Sequence, residues 1–287
     1  MIHVLYNPKA SNGRGLTKSE ELKSGLENCA FHDILTVGDL PAFFDSLGED
    51  DQVYLAGGDG TLNKFVNNLG DYEVKQPLYL YGAGSGNDFL HDVLGDGQRG
   101  PVQINQYIRD LPTVTVNGET HRFINGIGFG IDGYCCEVGD KEQAANPGKQ
   151  VNYTGIAIKG LLFHFKPVTA TVTVDGVTRT YPRVWIAPSM KGRYYGGGMI
   201  VAPAQDRLAE DGKLSNVVFY GKGRLKTLMV FPSIFKGEHI KHPEMVDIQT
   251  GHEITVTFDR PCALQIDGET VLNVTTYTVR SRVPARV

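Results

Sequence analysis

The stretch VYLAGGDGT, residues 53–61, runs from an apolar segment directly into three glycines, one aspartate and a threonine. Val53–Ala56 is typical of a buried strand, and Leu62–Leu69 is typical of a helix that Thr61 could cap. The glycines allow backbone amides to converge on an anion near the start of that helix. The stretch therefore predicts a strand, a turn and a helix arranged to bind phosphate.

The same pattern occurs a second time, where the apolar residues 78–81 are followed by GAGSGNDF, residues 82–89. The chain also opens with an apolar run, residues 2–6, that leads into NPKASNGRG, residues 7–15. Neighbouring parallel strands place their carboxyl ends along one crevice, so repeated turns of this kind favour a ligand site over plain tight connections. No G-x-x-x-x-G-K-[ST] motif occurs, so a bound nucleotide would lack the lysine of a P-loop.

Composition predicts a two-domain globular protein of 287 residues, with 41% hydrophobic and 21% charged residues. The net charge of −4 argues against nucleic acid as a partner and against adsorption to anionic lipid by charge alone. We expect a cytoplasmic protein, because the chain starts without a signal-peptide pattern and contains no apolar run near the ~20 residues of a membrane span. The four cysteines lack metal-type spacing and are expected to be small core residues.

The predicted secondary structure differs between the two halves of the chain, which indicates two kinds of domain. Up to about residue 113, predicted strands (near 2–6, 31–37, 53–56 and 78–81) alternate with predicted helices (near 16–27, 40–47, 62–69 and 103–109), a doubly wound, three-layer α/β pattern with a parallel sheet. The following residues are rich in strands and in hairpin turns such as Asp175-Gly176, which favours packed antiparallel sheets. A G-x-G-x-x-G match at residues 128–133 opens no βαβ unit, so we interpret it as close backbone packing and not as a dinucleotide site.

The ordered set NPKASNGRG, GGDGT and GSGNDF resembles the catalytic-domain family of diacylglycerol kinases, especially its bacterial soluble members. GGDGT alone is shared with NAD kinases and sphingosine kinases, but the resemblance covers nearly the whole chain. It continues through NGIGFGID, YGGGM, EDGKL and IDGE, at residues 125–132, 195–199, 210–214 and 266–269. It implies an α/β nucleotide-binding domain over 1–113, a β-sandwich-like lipid-binding domain over 114–275, a return of 276–287 to the first domain, and an active site in the interdomain cleft.

The resemblance also implies roles for four acidic residues. Asp59 and Asp88, with Glu269, would hold Mg²⁺ through ordered waters, while Asp267 would be the general base that accepts the lipid hydroxyl proton. Asp59 is the alternative base, and without the resemblance Asp267-Gly268 is an ordinary hairpin turn. Nucleotide binding is predicted for backbone amides and polar side chains at Asn7, Gly57, Gly58, Gly60, Thr61, Gly84, Ser85, Gly86 and Asn87.

A second, structural Mg²⁺ is implied at Asp211, for which a surface turn is the equal alternative. The apolar segments 153–165 and 225–235, with lysines at their flanks, could contact a bilayer or line an acyl groove, although such segments are more often core helices. The oligomeric state, including a homodimer, stays open.

The sequence thus favours an ATP-dependent lipid kinase of phospholipid biosynthesis, which converts diacylglycerol to phosphatidate at the inner membrane face. The alternatives are a kinase of another lipid alcohol, such as a sphingoid base or phosphatidylglycerol, an NAD kinase, or a nucleotide-binding regulator without turnover.

Overall fold

The protein consists of two compact units, Met1–Asp110 and Leu111–Val287, close to the predicted boundary after residue 113. The structure is a computed structural model that describes residues 1–10, 15–24, 28–83, 87–95, 100–146 and 151–282. The predicted nucleotide-binding residues Gly84, Ser85 and Gly86 lie outside these described residues. Among the helices of the described residues, none has the length and apolar character needed to cross a bilayer.

The first unit is built on a five-stranded sheet of β1 (Ile2–Tyr6), β2 (Cys29–Asp33), β3 (Gln52–Gly57), β4 (Leu78–Gly82) and β5 (Val102–Gln103). The order across the sheet is β2-β1-β3-β4-β5. Strands β1 to β4 run parallel, as predicted, whereas β5 pairs antiparallel with β4 at the edge. We did not predict β5, because two residues are too short to show an alternating pattern.

Five α-helices are described in the first unit: α1 (Gly15–Glu20), which a 3-10 turn (Glu21–Ser24) extends, α2 (Leu40–Asp45), α3 (Asp59–Leu69), α4 (Asp88–Leu94) and α5 (Asn105–Ile108). Helix α3 buries Leu62, Phe65 and Leu69, whose spacing places them on one face. It begins three residues before the predicted start and has Gly58 at its N-cap position. Thr61 therefore lies inside the first turn and does not cap the helix, because Asp59 and Gly60 already belong to the helix.

The second unit contains a ten-stranded antiparallel sheet and a separate two-stranded ribbon, β12–β13. The main path is β15-β14-β11-β8-β16-β17-β6-β7, and β9 joins it by pairing with both β16 and β10. The strands are β6 (Thr113–Val116), β7 (Glu119–Arg122), β8 (Gly126–Phe129), β9 (Val168–Val174), β10 (Val177–Val184), β11 (Ser189–Met190), β12 (Tyr194–Tyr195), β13 (Met199–Ile200), β14 (Leu214–Phe219), β15 (Val246–Gly251), β16 (Glu253–Ile266) and β17 (Glu269–Arg280).

Helical segments of the second unit interrupt the strands at two places. They are α6 (Ile131–Ala145), α7 (Tyr153–Lys159) with a π-helical turn (Gly160–His164), and α8 (Arg224–Val230) with 3-10 turns (Phe231–Lys236 and Glu238–Lys241). We did not predict α6, because Gly133 and Gly139 weaken its helical pattern. Gly133 is needed for packing, since a Cβ there would lie 2.0 Å from the carbonyl oxygen of Ala263 in β16.

The predicted return of residues 276–287 to the first unit is wrong for the described part of that segment. Strand β17 continues to Arg280 within the sheet of the second unit, where it pairs with β16 and with β6. The alternation of side chains between the two faces of β17 explains the difference. Tyr277 and Val279 are buried in the core of this unit, and the intervening Thr278 pairs with Thr115. Residues 283–287 lie outside the described residues.

Gly57 and Gly60 give a matched test of packing at the turn after β3. A Cβ at Gly57 would lie 2.4 Å from the Cβ of Thr61, whereas a Cβ at Gly60 would meet no atom within 4 Å. We expect Gly57→Ala to lower the free energy of unfolding by about 1–3 kcal/mol through overpacking. Gly60→Ala should be neutral or stabilising by up to about 1 kcal/mol, because alanine favours a helix. Urea denaturation measures both, and equal stability of the two variants would contradict this packing.

Candidate active site

The Asp59 carboxylate joins two helix starts in the first unit. Asp59 is the first residue of α3, and its two oxygens accept hydrogen bonds from the backbone amides of Asp88 at 2.7 Å and Phe89 at 3.1 Å. These amides belong to the first turn of α4. Helix N-termini carry partial positive charge and unsatisfied amides, so both helices stabilise negative charge at this point. The two glycine-rich turns predicted to share one ligand are therefore physically connected.

Polar groups predicted to bind nucleotide lie beside this junction. The Asn7 side-chain amide donates to Thr61 Oγ1 at 3.3 Å, and Asn7 Oδ1 accepts from the backbone amide of Lys9 at 3.0 Å. These contacts join the loop after β1 to the first turn of α3. The backbone at Gly60 faces open space, so a ligand can approach it closely. Asn87 occupies the N-cap position of α4.

Asp88 places a second carboxyl group at the start of α4, where it is 6% exposed. Mg²⁺ at nucleotide sites usually takes one or two carboxylates and completes its shell with water and phosphate oxygens. The donor chemistry of Asp59 and Asp88 fits that requirement. Within the described ranges, no group of three or more His, Cys, Asp and Glu residues could hold a metal ion.

Asp267 occupies a two-residue hairpin turn in the second unit, between β16 and β17. Asp267 has a φ of +46° and Gly268 a φ of +93°, and Ile266 pairs with Glu269 across the turn. Two positive φ values at the central residues define the type I′ turn that Asp-Gly favours. The backbone of Asp267-Gly268 therefore forms an ordinary hairpin turn, as the sequence alone indicated. Any further role belongs to the Asp267 side chain.

The Asp267 carboxylate points at three successive backbone amides. Oδ2 accepts from Ile124 at 2.6 Å, and Oδ1 accepts from Asn125 at 2.8 Å and from Gly126 at 3.0 Å. Such amides stabilise the charge of a carboxylate and hold its oxygens in one orientation. Asp267 is thus a rigidly held acid.

A second Asp-Gly turn in the same unit has nearly the same geometry. Asp175 and Gly176 have φ values of +46° and +83° between β9 and β10. The Asp175 carboxylate accepts from the backbone amides of His252 at 2.9 Å and Glu253 at 2.8 Å. A carboxylate bound to amides above a type I′ turn is therefore a structural element of this unit, and the geometry alone does not make Asp267 a base.

Two buried side chains support the Asp267 turn, and the sequence analysis did not identify either of them. Arg207 is 8% exposed, and its guanidinium donates to the carbonyl oxygen of Ile124 and to Asn125 Oδ1. Gln265 Oε1 accepts from the amide of Gly268 at 2.6 Å. Arg207 is separated from Ile124 by 83 positions, so no local pattern could have indicated this contact.

An acidic and sulfur-containing cluster lies at the start of α6. Burial, with the nearby Asp132 carboxylate as the second cause, raises the pKa of Cys135 to about 12, and the same two causes raise the pKa of Cys136. Glu269, exposed at the start of β17, adds to the effect on Cys136. Both thiols stay protonated at neutral pH, which argues against a role as nucleophiles. Cys135 is buried, as predicted, whereas Cys29, Cys136 and Cys262 are only partly buried. Asp132 is buried here, and the sequence analysis assigned it no role.

Asp211 lies in an exposed turn of the second unit. Its Oδ1 accepts from the amide of Lys213 at 3.2 Å, and its Oδ2 lies 3.3 Å from Lys213 Nζ. The backbone hydrogen bond first, and then the lysine, lower the pKa of Asp211. These contacts are those of a surface turn, and the structural magnesium at Asp211 stays a prediction.

The glycines at 128–133 serve packing, as we interpreted them. A Cβ at Gly128 would lie 1.5 Å from Asp132 Oδ2, and a Cβ at Gly130 would lie 2.2 Å from the carbonyl oxygen of Trp185. Neighbouring groups therefore fill the space that a dinucleotide would need beside these residues.

Comparisons with known proteins agree with both units. Residues 1–122 match the family model described as the diacylglycerol kinase catalytic domain, and residues 125–285 match the YegS C-terminal NAD kinase beta sandwich-like domain. The chain is 28% identical over 217 residues to the diacylglycerol kinase of Mycobacterium tuberculosis (strain CDC 1551 / Oshkosh), which covers 74% of this chain and 67% of that protein. A solved "putative diacylglycerol kinase" of Bacillus anthracis str. Sterne has the same fold, with a TM-score of 0.65 and 18% identity over 98% of this chain and 91% of that one. The predicted family resemblance and fold class are confirmed.

Asp59 and Asp39 allow the capping role of an acid to be separated from a role in ligand binding. Asp39 caps α2 by accepting from the amide of Ala42 at 2.8 Å. We expect Asp39→Ala and Asp59→Ala each to lower the free energy of unfolding by about 0.5–2 kcal/mol, since each leaves helix-start amides unsatisfied. Only Asp59→Ala should also weaken the binding of Mg²⁺ and ATP, measured by calorimetry. An Asp59→Ala variant with wild-type stability would contradict the junction described above.

Proposed function

The chain belongs to the diacylglycerol kinase catalytic-domain family and is a lipid kinase, and from this premise we propose that it transfers the γ-phosphoryl group of ATP to the hydroxyl of diacylglycerol, which yields phosphatidate. The M. tuberculosis relative is named for this substrate, and it covers most of this chain. Diacylglycerol resides in membranes, so the proposal includes transient contact of a cytoplasmic enzyme with the inner membrane face.

The observation that carries the proposal is the pair of acids at adjacent helix starts, Asp59 and Asp88. Catalysis of phosphoryl transfer consists largely of positioning the phosphates and neutralising their charge. Asn7, Thr61 and the open backbone at Gly60 supply polar groups beside the acids, and α3 and α4 direct their N-termini toward negative charge. The first unit thus combines phosphate-binding groups with carboxylates suited to a divalent cation.

We assign Asp59 and Asp88, together with Glu269 of the second unit, to the Mg²⁺ that accompanies ATP. When bound, this ion would neutralise the charge that develops on the phosphoryl oxygens. The Asp59 carboxylate also has a structural role, because its oxygens accept hydrogen bonds from the amides at the start of α4. Loss of Asp59 should therefore affect both stability and ligand binding, whereas Glu269 is exposed at the start of β17.

Asp267 is our proposed general base. The lipid hydroxyl oxygen attacks the γ-phosphorus, the bond from that phosphorus to the bridging oxygen of ADP breaks, and the hydroxyl proton passes to the Asp267 carboxylate. Three backbone amides hold the Asp267 carboxylate in one orientation. A carboxylate is suited to this role because the transition state of phosphoryl transfer is loose, and protein kinases use an aspartate in the same role. Asp59 remains the alternative general base, although its oxygens already accept hydrogen bonds from the first turn of α4.

A comparison of Asp267→Ala with Asp175→Ala tests the base assignment. Both substitutions remove an amide-bound carboxylate from a type I′ turn of the second unit, so both should lower stability by a similar amount, about 1–3 kcal/mol. Only Asp267→Ala should reduce kcat, by about 10²–10⁴-fold, because a base acts in the chemical step. ATP affinity should stay near the wild-type value in both variants. Turnover of Asp267→Ala that matches Asp175→Ala would overturn the assignment.

The substrate is tested by transfer of labelled γ-phosphate to diacylglycerol, phosphatidylglycerol, sphingosine, ceramide and NAD in parallel. We expect the highest kcat/KM with diacylglycerol. A preference for sphingosine, ceramide or phosphatidylglycerol would keep the lipid kinase and change its substrate. Labelling of NAD in preference to every lipid would contradict the proposed chemistry.

A further inference from the structure

Two helical segments of the second unit, Tyr153–Lys166 and Lys222–Lys236, carry the three most exposed large apolar side chains among the described residues. Leu225 is 74% exposed, Met229 71% and Phe163 70%. Tyr153, Ile158 and Phe235, on the same segments, are each about half exposed. We call this region the basic apolar surface.

Arg224 joins the two segments into one surface. Its guanidinium donates to the carbonyl oxygens of Leu161 at 2.7 Å and Phe165 at 2.9 Å, at the end of the first segment. The same group lies 5.6 Å from the ring centre of Trp185, which is fully buried. The start of α8 is thereby fixed against the π-helical turn, and the exposed side chains of both segments belong to a rigid scaffold.

The segments are apolar on both their inner and their outer faces. The inner face packs into a hydrophobic core, and its buried residues are Ile156, Leu161, Phe165, Val230, Phe231 and Ile234. We had interpreted the segments mainly as core helices, which accounts for this face only. Leu225 and Met229, four positions apart, share the opposite face of α8 and protrude into solvent. Protruding side chains do not line a groove, so they are poorly suited to hold an acyl chain.

The charge of this surface is opposite to that of the chain as a whole. The two segments hold six of the 28 Lys and Arg residues and none of the 32 Asp and Glu residues, while the chain has a net charge of −4. Within the described part of the chain, Lys159, Lys166 and Lys222 have no carboxylate at ion-pair distance. Two acids outside the segments interact with their lysines: Glu238 pairs with Lys241 at 2.7 Å and also interacts with the charge of Lys236, and Glu244 interacts with that of Lys226. The other basic side chains still leave an excess of positive charge around the exposed apolar side chains.

We propose that the basic apolar surface docks the enzyme on bilayers that contain anionic lipids. Leu225, Met229 and Phe163 would insert at the level of the headgroups and the upper acyl chains, while the surrounding lysines contact lipid phosphates through their flexible stems. A second copy of this surface is a poor partner, because a two-fold contact would bring like charges together. The inference deepens the proposed function, since docking would bring the enzyme to a substrate that stays in the membrane.

Docking is tested by co-sedimentation of the full chain with vesicles, without ATP or diacylglycerol. The vesicles are phosphatidylcholine alone or phosphatidylcholine with phosphatidylserine. We expect binding to the mixed vesicles that weakens as salt is raised, because salt screens the lysines, but that keeps a salt-resistant part from apolar insertion. Absence of binding to the mixed vesicles would overturn the proposal, whatever the kinase activity.

A double variant, Leu225→Glu with Met229→Glu, tests the assigned surface. Both side chains are exposed, so the fold should tolerate the changes. We expect the fraction bound to mixed vesicles to fall at least about tenfold, because apolar area is lost and negative charge is added. The matched control is Val177→Glu with Leu272→Glu, which alters exposed apolar residues on strands of the same unit and should bind like wild type. Equal binding by both double variants would place docking elsewhere.

Two further measurements separate docking from catalysis and from self-association. With monomeric dihexanoylglycerol as the acceptor, the Leu225→Glu/Met229→Glu variant should keep wild-type kcat/KM, while its activity on long-chain diacylglycerol in vesicles falls. Loss of activity on both acceptors would place these residues in the catalytic machinery and overturn the docking role. Light scattering gives the molar mass in solution, and a change from dimer to monomer in the variant would assign the surface to a second copy instead.

Discussion

Hydrogen bonds from backbone amides to carboxylates hold the loops of both units. Asp59 binds the first turn of α4, Asp267 binds the amides of residues 124–126, and Asp175 binds those of 252 and 253. An amide that is left unsatisfied in a buried position costs about 1–3 kcal/mol, so each loop depends on its acid for its shape. The glycine-rich turns supply backbone that can bend, and the carboxylates determine where that backbone is held.

This constraint shapes the chemistry that the acids can perform. Carboxylates fixed by amides present their remaining lone pairs in set directions, and such preorganisation lowers the cost of stabilising charge during a reaction. Arg207 and Gln265 extend the constraint behind Asp267, because they hold the same loop and the same turn from the buried side. Substitution of these acids has a structural effect in addition to any effect on the proposed catalysis, and a matched turn such as Asp175-Gly176 is needed to tell the two apart.

The surface proposed to contact lipid differs in charge from the chain as a whole. The chain is acidic overall, yet two helical segments of the second unit hold only basic charges around Leu225, Met229 and Phe163. Overall charge therefore does not describe the charge of this surface. A local surface with both apolar and basic side chains can bind an anionic bilayer while the remainder of the molecule is repelled from it.

Short-range patterns in the amino-acid sequence were sufficient to predict β1 to β4, the turn that follows β3, the two-part organisation and the family. Apolar runs and glycines act on residues a few positions away, and the backbone conformation they favour survives in the folded chain. Helix α6, the continuation of β17 in the second sheet, and the start of α3 at Asp59 needed the tertiary structure, because packing overrides local preference there.

The same distinction applies to the site. The sequence selected Asp59, Asp88 and Asp267 as candidates through their motifs, but it did not show their partners. Asp267 accepts a hydrogen bond from Ile124, 143 positions away, and Arg207 donates one to the same residue, 83 positions away. The sequence likewise located the apolar segments 153–165 and 225–235 but not their exposed face. Contacts at such separations, and the division of a helix into buried and exposed sides, depend on the path of the whole chain, which only the folded structure determines.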